Sequence, residues 1–311
     1  LEYSRSLILM KRIDPESHSG SLFSENSPKY PLVSIGIPVY NAESTITACI
    51  ESALSQNYAN FEILISDNAS SDATSEICKN FQNKDGRIRY FRQEQNIGAL
   101  SNFHFVLEKS NGWYFRWLGS DDVISSNSVS ESVKSLEHNT KFVACAAPTF
   151  FDFEYLNAQV PNNFRLGGSQ YSRIQSFFTQ PGRSHGLTYS LIKRDLLIKY
   201  PLLGKDFFGW DWCLVLYLLS NGPIAFAQSA SLILGSNGAS STDAIYRQYN
   251  LIGLKRVLPF WRFTVLTIQS GKEWAVGARF LLYLKLVAFN LKNLCKEFRI
   301  VRQILAKINN K

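Results

Sequence analysis

Trp113-Tyr114-Phe115-Arg116-Trp117-Leu118-Gly119-Ser120-Asp121-Asp122-Val123-Ile124 is the stretch whose reading decides the fold. An aromatic, apolar run rich in strand formers stops at Gly119-Ser120, and two adjacent carboxylates follow. The run reads as a buried strand. It delivers Asp121 and Asp122 to the edge of a sheet, where open α/β folds bind ligands. Neighbouring aspartates repel each other, so holding both ionised there needs a cation or hydrogen-bond donors. A divalent metal carrying a diphosphate supplies that charge. A turn leading into a helix N-cap suits the same residues, and the stretch alone leaves both readings standing.

Working outward, strand and helix alternate upstream with short links. An apolar strand spans 32–41, and a helix follows over 42–56 with Ile46, Cys49, Ile50, Ala53 and Leu54 on one face. A second strand covers 61–67, a helix 73–81 and a third strand 87–92; Asn96-Ile97-Gly98 then opens a helix that runs to 108. This alternation predicts an α/β fold with a mostly parallel, doubly wound sheet. No Gly-x-Gly-x-x-Gly follows the first strand and no Gly-Lys-Ser/Thr loop occurs, which argues against dinucleotide and P-loop readings. Polar clusters instead end strands one, two and four: Pro38-Val39-Tyr40-Asn41, Asp67 and Asp121-Asp122.

Downstream, 140–148 reads as a strand beside the fourth, and 152–180 as aromatic, polar loops facing an acceptor. His185 suits a surface position or a substrate contact. A strand and a helix start follow over 192–197. Asp211 lies between Trp210 and Trp212 before an apolar helix over 213–219. An aspartate in that setting is an N-cap or a carboxylate with a raised pKa.

The formal net charge is +8, but twelve Lys and Arg against two Glu lie from Gly253 onward, so the other 252 residues sum to −2. A near-neutral body with a basic extension points away from nucleic acid. Five scattered cysteines without metal spacing fit core positions in a reducing compartment. The N-terminal apolar run is too short for a signal-peptide core, and no uncharged run is long enough to span a bilayer. Three parts are expected: a flexible leader over 1–30, a catalytic domain over 31–250 and a basic amphipathic helical extension over 251–311. In the extension, Phe260-Trp261-Arg262-Phe263 has the composition of a lipid headgroup boundary. Leu284, Val287, Leu291, Leu294, Phe298, Val301, Leu305 and Ile308 form one stripe on a helix. That stripe suits a membrane surface, the catalytic domain or a second copy in a homodimer. The expected location is cytoplasmic, peripheral on the inner face of a membrane.

The blocks at 31–41, 65–72, 96–98 and 119–122 occur in the order and spacing of family 2 glycosyltransferases, and the chain resembles that family over residues 31–245. The resemblance implies the A-type nucleotide-sugar-binding fold. It further implies an inverting, metal-dependent transfer of a sugar from a nucleotide diphosphate sugar to a glycan or lipid-linked acceptor, in cell-surface polysaccharide or oligosaccharide synthesis. It assigns Pro38, Tyr40, Asn41, Asp67, Asn96, Gly98 and Asp121 to the nucleotide sugar. Asp122, with Asp121, is assigned to Mn2+ or Mg2+. Many members have Asp where this chain has Gly119. Members carry a Glu-Asp pair where this chain has Trp210-Asp211, and Asp211 keeps the position of the catalytic base. In the loop over 233–242, Ser236, Asn237 and Ser240 stand where members often carry Arg and His. A non-catalytic nucleotide- or glycan-binding module of a membrane-associated assembly is the alternative that these departures allow.

Overall fold

The computed structural model describes residues 30–151, 166–179, 186–200, 203, 209–235, 264, 276, 277, 279, 280, 282–288 and 291. The expected leader, His185, residues 152–165, the loop beyond Gly235, the cluster at 260–263 and the stripe beyond Leu291 lie outside the described residues. Strand β1 (Val33–Val39) is followed by helix α1 (Ile46–Leu54), β2 (Phe61–Asp67), α2 (Thr74–Lys84), β3 (Ile88–Arg92), α3 (Ala99–Glu108) and β4 (Tyr114–Trp117). The strands β1 with β2, β2 with β3 and β1 with β4 pair in parallel. The chain thus builds outward from β1 to β3, then returns to lay β4 on the other flank of β1. That reversal opens a crevice at the strand ends between β1 and β4, the place where doubly wound sheets bind ligands.

Period-two patterning sorts the core. Val33, Ile35, Ile37 and Val39 all join the cluster that contains Ile46 and Ile50 of α1. Phe115 and Trp117 join the opposite cluster, with Val106 and Leu107 of α3. Both faces of the sheet are therefore covered, as a parallel sheet requires. Cys49, Cys78, Cys145 and Cys213 are free and buried, in keeping with the expected core role.

Beyond β4 come β5 (Val123–Ile124), α4 (Ser128–His138), β6 (Ala144–Ala146), β7 (Thr149–Phe151), α5 (Gln170–Thr179), β8 (Leu191–Lys193), α6 (Arg194–Ile198), α7 (Trp210–Asn221), β9 (Ile224–Phe226) and β10 (Leu232–Leu234). The main sheet runs β3-β2-β1-β4-β8-β6-β9, and a small sheet runs β5-β10-β7. Two expectations are corrected here. The strand expected beside β4 is β6, but antiparallel β8 lies between them. Only the ladder shows this, because a three-residue strand carries no sequence mark of its neighbour. The stretch read as loops contains α5, with Ile174 and Phe177 buried. Its apolar spacing of three was the signal, hidden by Gln170, Ser172 and Gln175 between. Among the described residues no helix is long and apolar enough to cross a membrane.

The strand ends are fixed by a buried amide. Asn102 of α3 is 2% exposed; its Oδ1 accepts from Ser66 Oγ at 2.5 Å, and its Nδ2 donates to the Ser66 carbonyl at 2.8 Å. Asn102→Leu is near-isosteric but leaves a buried carbonyl and hydroxyl short of partners. It is expected to cost about 2 kcal/mol, measured as a lowered urea midpoint with unchanged slope.

Candidate active site

Three loops meet at the strand ends and latch together. Asn41, with φ of 48°, accepts the Ser71 N–H on Oδ1 at 2.9 Å, and its own N–H donates to Ser70 Oγ at 2.9 Å. Asn68 Nδ2 donates to Asn96 Oδ1 at 2.9 Å, and the Ile97 N–H donates to Asn68 Oδ1 at 2.8 Å. Asn96 Oδ1 also accepts the Gly98 N–H at 2.9 Å. These bonds join the loops after β1, β2 and β3 into one wall. Short side-chain amides suit this work, because they tolerate left-handed backbone and bond to nearby main chain.

Asp67 lies beneath that wall. It is fully buried, accepting the Ser70 N–H on Oδ1 at 2.8 Å and, on Oδ2, Tyr90 Oη at 2.7 Å and Arg92 Nη1 at 2.8 Å. Burial and Asp67 raise the Tyr90 phenol pKa, keeping it a neutral donor. Tyr40 is 50% exposed, and Asn41 is exposed beside it, whereas Pro38 is buried within β1. Tyr90 and Arg92, two residues apart on β3, were not singled out from sequence. Their shared strand face was the available signal.

The carboxylate pair is built differently from its appearance in sequence. Asp122 is 4% exposed. Its Oδ2 accepts the Gly119 N–H and its Oδ1 the Gly235 N–H, each at 3.0 Å. Asp122 thereby ties the end of β4 to the end of β10, strands far apart in sequence. Both glycines are required by close approach. A Cβ at Gly119 would sit 2.5 Å from Asp122 Oδ2, and one at Gly235 would lie 2.6 Å from Asp121 Oδ2. The Gly119 departure from the family pattern therefore has a local cause: a side chain there collides with the clamped carboxylate. Asp121 is less buried than Asp122. Two carboxylates, one of them at the solvent border, fit a divalent ion whose remaining ligands are substrate phosphate oxygens and water. Among the described residues no group of three or more His, Cys, Asp or Glu that could hold a metal ion occurs.

Asp211 reaches the same region through aromatic packing. The N-cap of α7 is Gly209, with φ of 87°, and Asp211 is the second helical residue. The N-cap reading of Asp211 is thus corrected: the helix starts earlier than its apolar run. Trp210 packs edge-on to Trp117 at 6.2 Å and to Phe103 at 5.9 Å between ring centroids. Trp117 is locked in turn by an Nε1 bond to the Phe103 carbonyl at 2.9 Å. Burial raises the Tyr189 phenol pKa strongly, and Asp122, Asp121 and Asp211 add to the rise. All three carboxylates therefore bear electrostatically on one phenol. Tyr189 was missed in the sequence because nothing local distinguishes it.

Arg116, 3% exposed, donates from Nη1 to Ser128 Oγ at 2.8 Å and from Nη2 to the Tyr189 carbonyl at 3.2 Å. Burial lowers its pKa to about 10, with Cys145 and Asp122 opposing the fall. It remains a cation at neutral pH and offsets charge on the acidic pair from below. The Cys49 thiol, its pKa pushed up by burial and then by Asp122 and Asp121, stays protonated and donates to the Gly119 carbonyl.

Comparisons with known proteins agree with this architecture. A family model described as "Glycosyl transferase family 2" matches residues 34–200. An Escherichia coli protein named UDP-Glc:alpha-D-GlcNAc-diphosphoundecaprenol beta-1,3-glucosyltransferase WfgD is 34% identical over 232 residues, covering 71% of this chain and 85% of that protein. Other curated relatives match over shorter stretches, and the chain spans 50% of the length of one and 33% of another. Staphylococcus aureus TarS 1–349, solved with UDP-GlcNAc, superposes with a TM-score of 0.61 at 14% identity, over 80% of this chain and 70% of that one. The mannosyltransferase PcManGT of Pyrobaculum calidifontis, solved with GDP-Man and Mn2+, superposes with a TM-score of 0.57 at 14% identity, over 98% and 84%.

The geometry separates a clamping aspartate, Asp122, from one in the first turn of a helix, Asp211. Asp122→Asn turns one acceptor oxygen into a donor facing a backbone N–H. It is expected to lower unfolding stability by about 2 kcal/mol. Asp211→Asn keeps the side chain's shape while removing a carboxylate charge from the first helical turn, and should cost less than about 1 kcal/mol. Urea unfolding of the two variants checks the difference.

Proposed function

The chain belongs to glycosyl transferase family 2, and on that premise we propose that it moves a sugar from a nucleotide diphosphate donor to an acceptor hydroxyl with inversion at the anomeric carbon. The observation that carries this reading is the placement of Asp211 by the Trp210–Trp117–Phe103 cluster in the same electrostatic neighbourhood as Asp121 and Asp122. The exposed side of the wall, with Tyr40, Asn41 and the half-exposed Arg92 guanidinium, receives the nucleotide. Asp67, assigned to the base by family resemblance, here holds Tyr90 and Arg92 in position from below, and Asn96 and Gly98 close the wall.

Asp121 and Asp122 would hold the divalent ion, Asp121 from the more open side and Asp122 from its clamp. When bound, such an ion neutralises charge on the leaving diphosphate. Asp211 accepts the proton of the acceptor hydroxyl. As the hydroxyl oxygen bonds to the anomeric carbon, the bond from that carbon to the diphosphate oxygen breaks, and the nucleoside diphosphate leaves with the electron pair. One displacement from the opposite face inverts the configuration. Trp210 and Trp212, the neighbours of Asp211 in the helix, pack against the apolar core.

The substrate class follows from the relatives. The E. coli protein is named for a UDP-glucose donor and a sugar diphosphate on undecaprenol, which favours a lipid-linked glycan as acceptor here. PcManGT was solved with Mn2+, which favours the metal reading. A lipid-linked acceptor places the enzyme at the inner face of a membrane.

Asp211→Asn should keep Mn2+-dependent protection by nucleotide sugar against thermal unfolding. A donor at a hundred times its Kd adds about 2.7 kcal/mol. The same variant should lose transfer by at least ~10²-fold. Donor protection without any transfer by the wild-type chain, across a panel of nucleotide sugars and lipid-linked acceptors, would favour a binding module.

A further inference from the structure

Helical residues close to the C-terminus form a surface that neither the sheet nor the candidate site uses. They are described at Val276, Gly277, Arg279, Phe280, Leu282 to Ala288 and Leu291. Leu282 and Leu286 are 2% and 1% exposed and belong to the core cluster that holds Trp117, Leu214 and Leu218. Residues four apart share a helix face, so this pair fastens the segment to the domain. Trp210 and Trp212 pack against the same cluster, so the segment and the start of α7 draw on one core.

The other side of the helix is apolar and open. Val276, Phe280, Tyr283, Leu284, Val287 and Leu291 are 72%, 62%, 39%, 51%, 57% and 54% exposed. At roughly 100° per residue these six fall within an arc of about 100°, its centre roughly 130° from the Leu282–Leu286 face. A contiguous stripe of large apolar side chains turned outward marks an interaction surface. In the sequence the same spacing of three and four continues to Ile308.

Charge selects the occupant. From Gly253 to Lys311 the sequence carries twelve Lys and Arg against Glu273 and Glu297. A second copy would bring an excess of ten positive charges against another ten. A polar partner would leave the stripe in water. An anionic lipid leaflet covers the apolar stripe with acyl chains and neutralises the cations with headgroups. Arg279 and Lys285, both partly buried on their stems, flank the stripe within reach of such headgroups.

We propose that the Val276–Leu291 face of this helix docks the protein on an anionic membrane leaflet, with the catalytic domain fastened to the helix through Leu282 and Leu286. The proposal concerns placement and rests on this face and its charge, independent of the transfer reading.

Co-sedimentation of the full chain with vesicles tests it, comparing phosphatidylcholine alone with a mixture containing phosphatidylglycerol. The wild-type chain should sediment with the anionic vesicles at low salt and release at molar salt, where the screening length falls to about 3 Å. Leu284→Ser with Val287→Ser, both at exposed positions, should weaken partition at least ~tenfold. Lys285→Glu should weaken partition and flatten its dependence on anionic lipid. The protection of each variant by nucleotide sugar reads the transferase site separately and should stay unchanged. A wild-type chain that ignores anionic vesicles at low salt, or a double variant that partitions like wild type, overturns the proposal. Loss of a concentration-dependent dimer in the double variant, with vesicle binding intact, assigns the stripe to a second copy instead.

Discussion

Everything at the site depends on one carboxylate held between two backbone amides. Asp122 receives the Gly119 N–H and the Gly235 N–H, and so fixes the end of β4 against the end of β10. Charge-assisted bonds of this kind are roughly twice as strong as neutral ones, and inside a sheet edge they set geometry as well as energy. The two glycines follow from the clamp, since a side chain at either one would occupy the carboxylates' space. Buried Arg116 below the pair keeps a positive charge near two acids that repel. Asp121 lies closer to the border with solvent than Asp122 does.

A second constraint works through apolar packing. Trp117 belongs to the strand that ends in the acidic pair, and Trp210 to the helix that carries Asp211. Their edge-on contact, completed by Phe103, couples the spacing between Asp211 and the acidic pair to the core. Aromatic pairs contribute about 0.5–1.5 kcal/mol beyond their buried area, small against folding but large for the precision of one carboxylate. The burial that holds Trp210 also neutralises His104 beside it, its pKa lowered to about 4 by desolvation.

How much of this was legible depends on range. The alternation from β1 to β4 could be read because each element carries its own periodicity, and the polar clusters that end those strands stand out against apolar runs. The family blocks pointed to Asp67, Asp121, Asp122 and Asp211, and the fold brings the last three around one phenol. What could not be read were contacts between residues far apart: Gly235 closing on Asp122 across 113 positions, Tyr189 between three carboxylates, and β8 slipping antiparallel between β4 and β6. Asp67 shows the converse. The family resemblance assigns it to the nucleotide, and three hydrogen bonds, from Ser70, Tyr90 and Arg92, add a supporting role that the sequence did not show. The start of α7 was misplaced because Trp210 and Asp211 do not continue the apolar pattern that defines the rest of the helix.

The central claim is a single displacement with Asp211 as base, and the configuration of the new bond tests it most directly. An α-linked nucleotide sugar that the enzyme accepts should yield a β-glycoside, read from the anomeric proton coupling of the purified product, with none formed by Asp211→Asn. An α-glycoside from the wild-type enzyme, or a β-product formed equally fast by Asp211→Asn, would contradict the account.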